Sequence, residues 1–186
     1  MLRTLFFGIV FQCIFYSAQS ADLYNGYIIL PTGDTLRGQI KFGGARGGTN
    51  WEEVTLVDSL GVEKKYKAQK GEVKGYGYEV MGKKKDYLYF LLKTKADSQW
   101  FQRVYKGSRY TVYATTMTGS FGTVDVTSPW YVLEKPSGEF VFLETCGICA
   151  WRKNLNEFLG DNPEALADLE NVKAKELYTY LRRISE

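Results

Sequence analysis

The sequence predicts an α+β fold: an antiparallel β meander, open or curled into a barrel, with a C-terminal helical tail packed on it. Two observations carry this. Short apolar or alternating segments recur between residues 24 and 145, separated by Gly, Pro, Asp and Ser turn residues. After Cys149 the apolar spacing changes to the three-and-four rhythm of a helix. No linker and no internal repeat divides residues 21–186, so one β-rich domain is expected, its tail starting at about 152.

The first hairpin is read over 24–42. Tyr27-Ile28-Ile29-Leu30 is a short apolar run, and Pro31-Thr32-Gly33-Asp34 is turn chemistry. Residues 35–42 then alternate, with Leu36, Gly38, Ile40 and Phe42 on one face. The glycine-rich stretch 43–48 reads as a loop. Val54-Thr55-Leu56-Val57 and residues 62–66 flank Asp58-Ser59-Leu60-Gly61 as a second hairpin. Residues 73–80 read as a strand softened by Gly75 and Gly77. The run 87–92 should be a central strand covered on both faces. Residues 100–105 pair with 110–115 around Lys106-Gly107-Ser108. Residues 130–133 pair with 140–143 around a proline-led turn.

In the tail, Leu155, Phe158 and Leu159 recur at helical spacing, with Gly160 as a stop. Asn162-Pro163 supplies an N-cap and a proline at the first helical position, opening a helix carried by Leu166 and Leu169. Leu177, Tyr180, Leu181 and Ile184 form one stripe, expected to pack on the sheet.

The N-terminus predicts export. Arg3 is the only charge before Asp22, residues 5–16 are apolar, and Ser17-Ala18-Gln19-Ser20-Ala21 offers small residues for cleavage after Ser20. The run is interrupted by Gln12 and short for a membrane anchor. Cys13 is preceded by Gln12, unlike a lipobox cysteine. A periplasmic or extracellular chain follows, with no membrane span in its mature part.

The net charge of +3 falls to +2 once Arg3 leaves, too mild to imply nucleic acid. Lys64, Lys65, Lys67, Lys70, Lys74, Lys83, Lys84 and Lys85 crowd one segment. They suit either a patch for anionic polymers or solvated strand edges, which lysine keeps from pairing; the second is preferred. The chain has no histidine, which removes Ser-His-Asp and Cys-His nucleophile pairs and histidine-ligated zinc. Asp34, Glu52, Glu53 and Asp58 show no catalytic spacing. Gly71, Gly75 and Gly77 lack the following helix of a phosphate loop. The aromatics Tyr76, Tyr78, Tyr87, Tyr89, Trp100, Phe101, Tyr105, Tyr110 and Tyr113 could expose a sugar-stacking row, but suit a β core better.

One constellation could carry chemistry. Cys146-Gly147-Ile148-Cys149 is a C-x-x-C between a strand and a helix. The chain upstream shows no βαβ unit, and only tail signals follow, so a thioredoxin fold has no room. A disulfide or two buried thiols are the structural alternatives.

The segment Gly33-Asp34-Thr35-Leu36-Arg37-Gly38-Gln39-Ile40, the later Val73-Lys74-Gly75-Tyr76 and the ending 155–181 resemble a family of uncharacterised secreted β-rich proteins of the Bacteroidetes. The resemblance implies export and the β-then-α order; it implies no activity. With no histidine and no catalytic spacing, the expected function is an exported non-enzymatic binding or structural module of the cell envelope, its partner an unknown envelope protein or glycan. No catalytic, cofactor or metal residues are assigned. The alternative is a thiol–disulfide oxidoreductase with Cys146 as nucleophile and Cys149 as resolving thiol.

Overall fold

The computed structural model describes residues 22–42, 53–92, 98–121, 124–145, 150–160 and 162–186. The N-terminal segment through residue 21, the glycine-rich stretch 43–48, Glu52, and Cys146 and Cys149 lie outside the described residues.

Among the described residues ten strands form one antiparallel sheet. They are β1 (Asp22–Ile29), β2 (Thr35–Phe42), β3 (Glu53–Val57), β4 (Glu63–Lys67), β5 (Gly75–Val80), β6 (Lys83–Phe90), β7 (Gln99–Lys106), β8 (Thr111–Phe121), β9 (Val124–Glu134) and β10 (Phe140–Glu144). Their order is β10-β9-β8-β7-β6-β5-β1-β2-β3-β4. Two meanders, β1–β4 and β5–β10, therefore meet along β1 and β5. The link from β4 to β5 crosses one face, here face A, and buries Ala68 and Val73 there. Its return is fixed by the Lys74 amide donating to the Ile29 carbonyl (2.8 Å) and the Tyr89 amide donating to the Lys74 carbonyl (3.0 Å).

The period of two separates the faces cleanly. On face A, Ile28, Ile40, Val54, Leu56, Tyr66, Tyr76 and Trp100 form one core under the crossing link. Farther along the same face, Val112, Tyr131, Leu133 and Leu143 are covered by the tail. That tail comprises α1 (Trp151–Phe158), the single turn α2 (Pro163–Leu166), 3-10 turns at Leu169–Asn171 and Ala174–Glu176, and α3 (Leu177–Ser185). On face B, Phe90, Phe101, Tyr113, Trp130 and Val132 make a third core.

This third core shows how far the sheet bends. β6 and β10 lie four ladder steps apart, about 19 Å in a flat sheet. The rings of Phe90 and Phe140 are nevertheless 5.0 Å apart, centroid to centroid, and Phe101 lies 6.1 Å from Phe142. The second meander thus curls around face B, aided by a β-bulge between Arg103 and Tyr105. The sheet is not closed into a barrel: β10 and β4 remain its two ends.

The hairpins and the tail follow the sequence pattern, with four differences. β6 begins at Lys83, inside the lysine run, and ends at Phe90; Leu91 is exposed. β8 and β9 extend as long arms through 116–121 and 124–129, which polar side chains, Gly119 and Pro129 conceal in the sequence. Pro129 pairs with Thr116 but lies beyond the ladder to β10, on an edge where its missing N–H costs nothing. Leu36 is exposed, although Ile40 on the same face is buried and Gly38 and Phe42 are half-buried. The helix read from Pro163 stops after one turn, and Leu169 belongs to the following 3-10 turn. The cap itself is present: Asn162 Oδ1 accepts from the Ala165 amide at 3.1 Å.

Candidate functional site

Face B of the central strands carries a transverse row of side chains. Arg37 on β2 pairs with Tyr27 on β1, Tyr27 with Gly77 on β5, and Gly77 with Asp86 on β6. One residue beyond the Tyr87–Gln102 pair, the row continues to Arg103 on β7, which pairs with Tyr113 on β8. Strand pairing alone therefore aligns Arg37, Tyr27, Gly77, Asp86, Arg103 and Tyr113.

The glycine makes the row possible. A Cβ at position 77 would lie 2.6 Å from both Tyr27 Cζ and Asp86 Oδ1. With no side chain there, the Tyr27 ring lies across β5 and its hydroxyl donates to Asp86 Oδ1 at 2.5 Å. Arg103 donates to the other carboxylate oxygen. Lys84 stands 3.7 Å from Asp86 and 5.1 Å from the centroid of the Tyr27 ring. Farther along, the Tyr113 hydroxyl donates to Glu134 at 2.8 Å.

Protonation follows from these contacts. Burial, then the hydrogen bond to Asp86 and its negative charge, push the Tyr27 hydroxyl up to about 12, against the pull of Arg103 and Arg37. Burial, reinforced by the hydrogen bond to Glu134, also holds the Tyr113 hydroxyl well above its ordinary value. Both phenols are neutral donors at physiological pH.

Beside the row opens a hollow of about 760 Å³. Its walls include Asn25, Tyr27, Thr35, Arg37, Glu79 and Lys84. The strand backbones approach closely beneath it, since a Cβ at Gly26 would strike the Gly77 carbonyl oxygen. Asp86 is engaged by Tyr27 and Arg103, and its side chain is only 14% exposed. Arg37 makes no ion pair among the described residues. Glu79 faces Lys84 across the β5–β6 ladder, but the ammonium turns toward Tyr27 and Asp86.

The residues singled out from the sequence fall as follows. The lysines do not form one patch: Lys64, Lys65 and Lys67 sit on the end strand β4, five ladder steps from Lys83, Lys84 and Lys85 on β6. Lys65 pairs with Glu53 at 2.8 Å, and Lys64 lies 5.0 Å from the centroid of the Tyr66 ring. Asp34 and Asp58 serve turns, Asp58 Oδ1 accepting from the Leu60 and Val62 amides. None of the nine aromatics named above is fully exposed; Tyr76, Trp100, Phe101, Tyr110 and Tyr113 are buried. Tyr76, Tyr78 and Tyr87 stack near-parallel on face A, with Tyr76 and Tyr87 4.8 Å apart. Of the residues lining the hollow, Tyr78 and Lys84 are candidates from the sequence. Tyr27, Arg37 and Asp86 come together through register, which composition does not reveal.

Among the described residues no cluster of three or more Cys, Asp or Glu is placed to hold a metal ion. Among them, too, no helix is long and apolar enough to cross a membrane. The C-x-x-C bridges the end of β10 and the start of α1, outside the described residues. Compared with protein-family models, curated proteins and solved structures, the chain matches none.

Proposed function

We propose that this protein is an exported, non-enzymatic binding module of the cell envelope, and that the hollow on face B is its ligand site. The observation that carries this reading is the Tyr27–Asp86–Arg103 relay beside the hollow. It fixes an aromatic ring on rigid strands, and side chains held in this way lose little freedom when a ligand arrives. With its proton retained up to about pH 12, Tyr27 is suited to donating a hydrogen bond rather than to acting as a nucleophile or base. Arg3, the apolar run 5–16 and the small residues Ser17, Ala18, Ser20 and Ala21 support export.

Co-sedimentation of the purified protein with isolated envelope fragments tests the proposal. Thr35 is exposed on a wall of the hollow, so Thr35→Trp should obstruct it without entering the core. Wild-type protein should sediment with the fragments and Thr35→Trp should stay in solution. Equal sedimentation of the two would remove the hollow from the proposed function.

A further inference from the structure

We infer, resting on that reading of the hollow, that its ligand is a saccharide unit carrying an oxyanion. Three features converge on this chemistry.

The first is charge. The walls of the hollow carry two cations, Arg37 and Lys84, against one carboxylate, Glu79. Arg103 is spent on Asp86, and Arg37 has no ion-pair partner among the described residues. A guanidinium offers a planar fork of donors that matches a carboxylate, sulfate or phosphate. The second is convergence. Arg37 pairs with Tyr27 across the β1–β2 ladder, and the Lys84 ammonium is 5.1 Å from the Tyr27 centroid. Both cations line the hollow beside that ring. The third is the ring itself. Tyr27 spans Gly77 and is anchored at its hydroxyl, so it cannot swing away when a ligand settles on it. Where the ring lines the hollow it offers apolar contact to the C–H groups of a sugar, and Asn25 and Thr35 supply polar groups for hydroxyls.

Calorimetric titration with a galacturonate trisaccharide, its methyl ester and inorganic phosphate separates these contributions. The acid trisaccharide should bind about tenfold or more tightly than the neutral ester, the worth of one charge-assisted bidentate contact. Arg37→Gln and Lys84→Gln alter exposed side chains; the first should erase most of that difference and the second part of it. Added salt should weaken only the acid form. Tyr27→Ala should weaken both saccharides, and phosphate alone should bind far more weakly than the acid trisaccharide. Ester binding as tight as acid binding would overturn the oxyanion, while leaving the hollow as a ligand site. Phosphate binding as tight as the trisaccharide would overturn the saccharide. Failure of all three probes to bind would overturn the inference, and the Thr35→Trp sedimentation result would still stand or fall independently.

Discussion

Tyr27 and Asp86, 59 residues apart in the chain, meet through a 2.5 Å hydrogen bond that crosses the strand between them. The intervening residue is Gly77, whose missing side chain leaves the ring its path. An aromatic covering a cross-strand glycine restores the packing that the glycine gives up. The same bond ties β1 of the first meander to β6 of the second.

Gly77→Ala should cost about 1–3 kcal/mol, the usual penalty for forcing extra volume into a packed site. The new Cβ would meet both Tyr27 and Asp86 at 2.6 Å. Urea denaturation measures the loss. In the Tyr27→Ala background the same substitution should be milder, because the obstructing ring is gone.

Alkaline pH should destabilise the fold partly through Tyr27. Its folded pKa of about 12 lies above the ordinary 10, so the neutral phenol contributes stability that is complete below pH 10 and lost as pH rises through about 12. Denaturation midpoints of wild type should therefore fall more steeply across that window than those of Tyr27→Phe. Parallel curves would show that other groups, such as the buried Tyr113, carry the dependence.

Arg103→Ala leaves the shielded Asp86 carboxylate without its guanidinium. The expected loss is about 1–3 kcal/mol, the cost of an under-satisfied buried polar group. Adding Asp86→Ala should recover part of it. A double-mutant cycle showing strict additivity would mean that the two residues do not interact.

The tail should prove inseparable from the sheet. Leu177 and Leu181 are fully buried beside Val112 and Leu133, and the Arg109 amide donates to the Ser185 carbonyl at 3.1 Å. Leu181→Ala should cost about 2–5 kcal/mol by cavity formation. Truncation after Asn171 should lower the melting temperature sharply or cause aggregation; an unchanged melt would contradict this packing. At the entry to α2, Asn162→Ala should cost about 1 kcal/mol through the lost cap.

Much of this architecture is legible in the sequence because local chemistry and tertiary demand agree. Pro31-Thr32-Gly33-Asp34 and Asp58-Ser59-Leu60-Gly61 mark hairpins, and the stripe Leu177, Tyr180, Leu181, Ile184 is buried as its spacing requires. The arms of β8 and β9 are hidden because Thr115–Thr118 and Val124–Ser128 mix polar and apolar residues without strict alternation, and Pro129 argues locally against a strand. The candidate site is hidden for a different reason. Arg37, Lys84 and Asp86 occupy outward strand positions, where charge reads as solvation, and Gly77 reads as a weakness in its strand. Only the pairing of β1 with β5, and of β5 with β6, turns those residues into neighbours. That pairing depends on a crossing link whose sequence, Ala68 to Lys74, carries no sign of its destination.

The pairing of β1 with β5 also has a mechanical meaning. Four residue pairs, Gly26 with Tyr78 through Ile29 with Gly75, make the ladder that joins the two meanders, and three of those eight residues are glycine. Arg37 stands on one bank of this joint and Lys84 on the other, so a small wringing motion of one half of the sheet against the other changes the gap between the two cations. A ligand held between Arg37 and Lys84, as proposed above, would therefore bridge the two halves of the sheet.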